Sequence, residues 1–450
     1  MKNFRRRRVW SRRSFLKFSA AGLTGLLVRP GGRGADAADL ISNPLFGVDE
    51  IPDSPFAFAE APNYHAGLEA LLFLMGPNGL KFYRSPRVSL LSGPLGLISP
   101  NDVVLIKVNA QWKYRGCTNS DLIRGLVQRI LDHPDGFQGE VVIFENGQGR
   151  GSLACDTSQS YGGDKSVQAN ANDPLHSFEY LADVLFGDPR VSTRLFDPVR
   201  RVFLEASDHA TEGFRKFEDV SYPCFTTPGG RRVELREGIW NGTGYDRNLK
   251  LINVPVLKHH DQGGSEITAS LKHFYGVVSM SDGSSPIRHY GQLGHTTGKM
   301  VSRVRTPVLN IIDAIWVSHR ALKGYPAEMT FRANRLLASQ DPVALDYWAA
   351  KNILYPIDGN DRHHPDFPGV DVWLTQARDF INGAGGLSRP EDGVYVGRVT
   401  KDEAEMRVTE DSTARFLSEG PLLPQTKPRE PRRTPPGDKV PPRGNPAVIR

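Results

Sequence analysis

The 450-residue chain has only three cysteines, Cys117, Cys155 and Cys224. They are too few and too scattered for an iron–sulfur or zinc framework, and they allow at most one disulfide and one free thiol. Where a dinucleotide-binding turn would follow the first apolar strand, the sequence reads "KVNAQWKYRGCTNS", without G-x-G-x-x-G. G-x-S-x-G is also missing, which argues against the nucleophile elbow of an α/β-hydrolase. The apolar run Phe18 to Val28 is 11 residues, and a spanning helix needs about 20, so no permanent membrane anchor is expected.

What residues 1–37 do contain is an ordered series. A basic start leads to Arg12-Arg13, then Phe15-Leu16-Lys17, the short apolar run, and Ala35-Asp36-Ala37. This is the pattern of a twin-arginine export signal with a small-residue cleavage site. The expected partner is the twin-arginine (Tat) translocase, and the expected location is the periplasm or another extracytoplasmic space. Residues 421–450 hold nine prolines in thirty residues and read as a disordered tail. The two ends carry +9 and +5, and subtracting both from the chain's +6 leaves −8 on residues 38–420. The basic character belongs to the ends, so nucleic acid is not expected as a partner.

The remaining body, about 380 residues, is long enough for a large core. Residues 38–100 are irregular apart from a helix at "AGLEALLFLMG", 66–76. From there the pattern is clearer. "NDVVLIKVNAQW" contains a buried strand, "TNSDLIRGLVQRILDH" an amphipathic helix with Thr118 or Ser120 as its cap, and "EVVIFEN", 140–146, a second strand. Together they form a βαβ unit with parallel strands. "LKLINVPVLK", 249–258, "TPVLNIIDAIWV", 306–317, and "FRANRLLAS", 331–339, read as further strands. The last leads into a helix that Asp341 caps, with Pro342 in its first turn. Residues 147–245 are Gly-rich and read as insertions. The expected fold is α/β, a largely parallel sheet flanked by helices, with irregular insertions.

In such a sheet, ligands bind outside the carboxyl ends of the strands. Those ends are polar here: Lys107 and Asn109, Glu145 and Asn146, Lys258-His259-His260. Asp313 lies in an apolar strand, where a buried carboxylate needs a partner or a metal. Adjacent strand residues face opposite sides, so at most one of His259 and His260 is a ligand. Thr268 is placed to cap a short helix that carries Lys272 on the same face and ends at Gly276. Lysines beside a helix start suit an anionic group, while His260 with Asp313, or with the nearby Glu266 or Asp261, is the pattern of a divalent metal site.

The blocks "VLIKVN" (104–109), "TNSDLIRGLVQRIL" (118–131), "VVIFEN" (141–146), "LINVPVLKHH" with "ITASLKHFYG" (251–276), "IIDAI" (311–315) and "ASQDPVALD" (338–346) resemble, in order, those of the bacterial and archaeal family called domain of unknown function 362. The resemblance spans about residues 100–355. It gives Lys258, His260, Thr268, Lys272 and Gly276 the family positions, and His273 stands where Asn is usual. It implies a single α/β domain of unestablished activity. Some relatives carry ferredoxin-type clusters, but this chain has no C-x-x-C-x-x-C run, so no iron–sulfur cluster is expected.

The leading expectation is an exported α/β enzyme acting on a small anionic substrate, with or without a divalent metal. His260, Lys258 and Lys272 are its catalytic candidates, His260 as general acid/base and the lysines as charge stabilisers. Lys107, Asn109, Glu145, Thr268 and Asp341 are the binding candidates, and His260 and Asp313 the metal candidates. The alternatives are a non-catalytic periplasmic binding or assembly protein, and a redox protein without its own cluster.

Overall fold

The computed structural model describes residues 45–383 with breaks at 50, 52, 57–61, 159–162, 261–265 and 280–290. The expected export signal at 1–37, the Pro-rich residues 421–450 and Asp261 lie outside the described residues. The leading segment is more ordered than its composition implies. β1 (Phe46–Val48) joins the main sheet, α1 (Ala66–Met75) covers it, and β2 (Tyr83–Arg84) and β3 (Ser92–Gly93) form a small parallel pair.

The continuous apolar runs become strands buried along their whole length, β4 (Val103–Val108) and β5 (Glu140–Glu145). They pair in parallel and are joined by α2 (Ser120–Leu131). Val103 and Leu105 enter one apolar cluster, while Val104, Ile106 and Val108 enter another. That two-residue alternation with core on both sides is what a sheet covered on both faces requires. The cap of α2 is Asn119, whose side chain accepts from the Leu122 amide at 3.0 Å, not Thr118 or Ser120. Thr118 is otherwise engaged, accepting from the Asn109 amide and donating to the Val254 carbonyl.

The Gly-rich middle supplies β6 (Val191–Leu195), which extends the main sheet beside β5. It also forms a separate antiparallel sheet of β7 (Gly213–Phe217), β8 (Val220–Thr226), β9 (Arg232–Glu234), β10 (Gly238–Trp240) and β11 (Tyr245–Asp246). The run 249–258 is two strands, β12 (Leu249–Val254) and β13 (Val256–His259). Pro255 lies between them, and its missing N–H cannot continue a central ladder. β13 turns back into β14 (Ile267–Thr268), followed by α3 (Ser270–Phe274), α4 (Leu293–Lys299), β15 (Leu309–Ser318), β16 (Thr330–Ser339), α5 (Pro342–Ala349) and α6 (Pro368–Gly383).

Along the main sheet the order is β1-β16-β15-β12-β4-β5-β6. The pairs from β15 to β6 are parallel, and β16 and β1 add an antiparallel edge. This is the expected α/β class with a largely parallel sheet. Cys117, Cys155 and Cys224 are buried free thiols. Among the described residues, no helix is long and apolar enough to cross a membrane.

Candidate functional site

A cavity of about 200 Å³ opens at the carboxyl ends of β4, β5 and β13, where a parallel sheet places its ligands. Lys107, Asn109, Glu145, Lys258, His260, Thr268 and Lys272 all line it. The sheet brings the first three there, the β13–β14 hairpin the next three, and α3 the last. His259, one residue from His260, points the other way, with Nδ1 2.9 Å from Nε2 of His363.

The floor is a hydrogen-bonded row across adjacent strands. Lys107, Asn253, Asn310 and Ser339 are register partners in sequence across β4, β12, β15 and β16. Asn310 donates to the Ser339 carbonyl at 3.2 Å, and Asn253 donates to the Ser270 carbonyl and to Oδ1 of Asn310, both at 3.0 Å. A carbonyl only accepts, so these bonds leave Oδ1 of Asn253 as an acceptor. Nδ1–H of His273 donates to it at 2.8 Å, which makes Nε2 the acceptor for Nζ of Lys107 at 3.0 Å. Burial lowers the basicity of His273 well below the ordinary imidazole value, and the Lys107 charge pushes the same way. His273 is therefore a neutral ring.

Lys107 spends its other two protons on Oε1 of Glu145 at 2.7 Å and the Val108 carbonyl at 2.9 Å. Glu145 in turn accepts from the amides of Ala110 and Asn146. Burial draws both toward their neutral forms, lowering the lysine and raising the glutamate, and their mutual attraction opposes it. Gly276 lets α3 approach this pair: a Cβ there would stand 3.3 Å from both Oε1 of Glu145 and Nζ of Lys107.

Lys258 differs. It is 2% exposed, and among the described residues its ammonium has one hydrogen-bond partner, the Gly116 carbonyl at 2.6 Å, and no carboxylate in ion-pair contact. Burial pushes it down to about 7, and the positive charges of Lys272 and Lys107 add to that. Two further buried polar atoms of lining residues, Oγ1 of Thr268 and Nε1 of Trp112, have no partner among the described residues. Among the described residues, Lys107, Lys258, Lys272 and Arg150 line the cavity against one carboxylate, Glu145. With Lys107 and Glu145 cancelling, the wall carries a cationic excess.

Four expectations change. Asp341 does not line the cavity; it caps α5, Oδ1 accepting from Val343 and Ala344 at 3.0 Å. Asp313 does not line it either, so it does not join His260 in a metal pair. Its carboxylate accepts from the amides of Asn119 at 2.7 Å and Ile315 at 3.1 Å. Burial raises Asp313 to about 7 against those bonds. Glu266 is turned to Arg362 at 3.0 Å, and among the described residues no three His, Cys, Asp or Glu side chains group as a metal cage requires. Thr268 lies in β14, and the start of α3 is held instead by Asp346, whose two oxygens accept from Ser270 at 2.7 Å and Leu271 at 2.8 Å.

Sequence reasoning missed Asp346, Asn253, Gln111, Trp112, Gln148 and Arg150. The last two sit on the Gly147–Gly151 loop, whose ends are clamped by Asp197 accepting from Gly147 at 2.6 Å and Gly151 at 3.0 Å. A signal for Asn253 was present, an Asn at an inward position of "LINV", echoed by Asn310 in "LNII".

Neither the curated proteins nor the solved structures yield a match to the chain. The strands that carry Lys107 and Glu145 lie outside the family match. That match covers residues 246–351, which hold Lys258, His260, Thr268 and Lys272, and it is to the family described as Domain of unknown function (DUF362), supporting the resemblance to it.

Proposed function

We propose that this chain is an exported α/β enzyme acting on a small anionic molecule held in the cavity. The observation that carries the reading is the cationic excess of a small cavity in which Oγ1 of Thr268 and Nε1 of Trp112 are buried without a partner among the described residues. Buried polar groups are ordinarily satisfied, so a ligand supplying an acceptor to Trp112, and a donor or acceptor to Thr268, suits this wall. Charge-assisted hydrogen bonds are the strong ones. Lys272 and Arg150 hold the anion, His260 moves a proton, and Lys258 changes charge near neutral pH. Export rests on the twin-arginine pattern of residues 1–37, with the Tat translocase as partner. The described residues do not assemble a metal cage, so no step is assigned to a metal.

The test is calorimetric titration with inorganic phosphate and with malonate, followed by a turnover screen over small phosphate esters and carboxylates. Lys272→Ala and Arg150→Ala are each expected to weaken binding about 10- to 100-fold, the size of one charge-assisted hydrogen bond. His260→Ala is expected to abolish turnover with affinity nearly unchanged. Loss of affinity in His260→Ala, with no turnover in the wild type on any compound, would make the protein a binding protein instead.

A further inference from the structure

Lys258 combines features that its neighbours do not share. Lys258 is a lining residue of the cavity and only 2% exposed. Lys107 gives all three protons to fixed acceptors, whereas Lys258, among the described residues, gives one, to the Gly116 carbonyl. As a neutral amine with that bond kept, Lys258 retains a second N–H and its lone pair. A buried amine with no carboxylate in ion-pair contact favours the neutral, nucleophilic form. Around it, Lys272 and Arg150 line the same cavity and suit a carboxylate or phosphate on the same small molecule.

Resting on the anion-site reading above, we infer that Lys258 is a covalent nucleophile that forms an imine with the carbonyl carbon of a small oxo acid or other anionic carbonyl compound. The nitrogen lone pair attacks the carbonyl carbon. The carbonyl oxygen then takes up the two protons released by nitrogen and leaves as water, giving the C=N bond. No oxidant or reductant is needed. The imine withdraws electrons from the adjacent carbon, so the chemistry it supports is proton removal, decarboxylation or carbon–carbon cleavage beside the former carbonyl.

Trapping tests this directly. The full-length exported protein is incubated with glyoxylate and sodium cyanoborohydride, whose hydride reduces the imine to a stable secondary amine, and the modified lysine is located by peptide mass mapping. Labelling of Lys258 is expected at least tenfold faster than of any other lysine. Phosphate should slow it in competition, and neutral formaldehyde should show no such preference. Lys258→Arg keeps the charge but cannot form the imine. It is expected to remain folded by circular dichroism and to bind phosphate, yet to show no label at position 258. If the wild type binds phosphate by calorimetry but labels Lys258 no faster than exposed lysines, the imine proposal fails and the anion site stands. If phosphate does not bind and no selective label appears, both fall. Should Lys258→Arg not fold, the wild-type rates and the phosphate competition decide alone.

Discussion

Lys107 and Lys258 are both buried, both near the carboxyl ends of strands in one sheet, and both in the wall of one cavity, yet their surroundings assign them opposite tasks. Lys107 is saturated by Glu145, His273 and the Val108 carbonyl. It is part of the framework. Among the described residues, Lys258 bonds a single carbonyl, and burial and the charges of Lys272 and Lys107 disfavour its ammonium, with Glu145 only partly offsetting them. Burial alone does not distinguish a structural lysine from a reactive one, whereas counting the acceptors around each ammonium does.

The largest effect is expected from removing the counter-charge of the saturated lysine. Glu145→Ala leaves Lys107 buried and uncompensated, a loss of about 3–5 kcal/mol, measured by guanidinium denaturation. Adding Lys107→Met should restore much of it. A single-mutant cost below about 1 kcal/mol would mean that the two lysines are not the contrasting pair described.

Next comes Lys258→Met, which should stabilise the protein at low pH. The unfolded lysine titrates near its ordinary 10.5 and the folded one at about 7. Below pH 7 both states are protonated, and the penalty of burying the charge is present in full. Between 7 and 10.5 the unfolded state binds more protons, so wild-type stability rises with pH and the penalty disappears. At about 1.4 kcal/mol per unit that is roughly 5 kcal/mol, against which the lost bond to Gly116 sets about 1–2 kcal/mol. The mutant should therefore lead by roughly 3 kcal/mol at pH 6 and lose that lead by pH 10. Denaturation midpoints at both pH values decide it, and a lead that does not shrink would contradict the assignment.

The smallest effect is expected at Gly276→Ala. The added methyl meets Oε1 of Glu145 and Nζ of Lys107 at 3.3 Å, and those atoms are pinned by their own bonds, so a cost of about 1 kcal/mol follows. Equal stability would show that the pair can yield.

Much of this was legible in the sequence because the signals are local. The runs of β4 and β5, the period of α2, and the Asp341-Pro342 start of α5 each lie within a dozen residues. Of the polar residues that meet at the cavity, Lys107, Asn109, Glu145, Lys258 and His260 were found by the rule that ligands sit at strand ends, whereas Thr268 and Lys272 came from an expected helix start and the family resemblance. What was not legible depends on partners distant in the chain. Asp346 holds a helix start 75 residues away, a separation that no capping pattern covers. Asp313 looked like a ligand because a carboxylate in an apolar strand is costly, and its actual partners are the amides of Asn119 and Ile315. Backbone donors carry no residue code. Trp112, Gln148 and Arg150 sit in irregular loops without periodicity to aim them.

The hydrogen-bonded row beneath the cavity also has a consequence for proton traffic. Two backbone carbonyls, of Ser270 and Ser339, fix the direction of every bond from Asn310 through Asn253 and His273 to Lys107. A carboxamide cannot take up a proton on one side and release another on the far side without turning over, and here turning over would set two donors against the single donor of His273. The row is an insulator: protons that reach the cavity floor stop at Lys107 and Glu145 and are not passed on through Asn253 to Asn310.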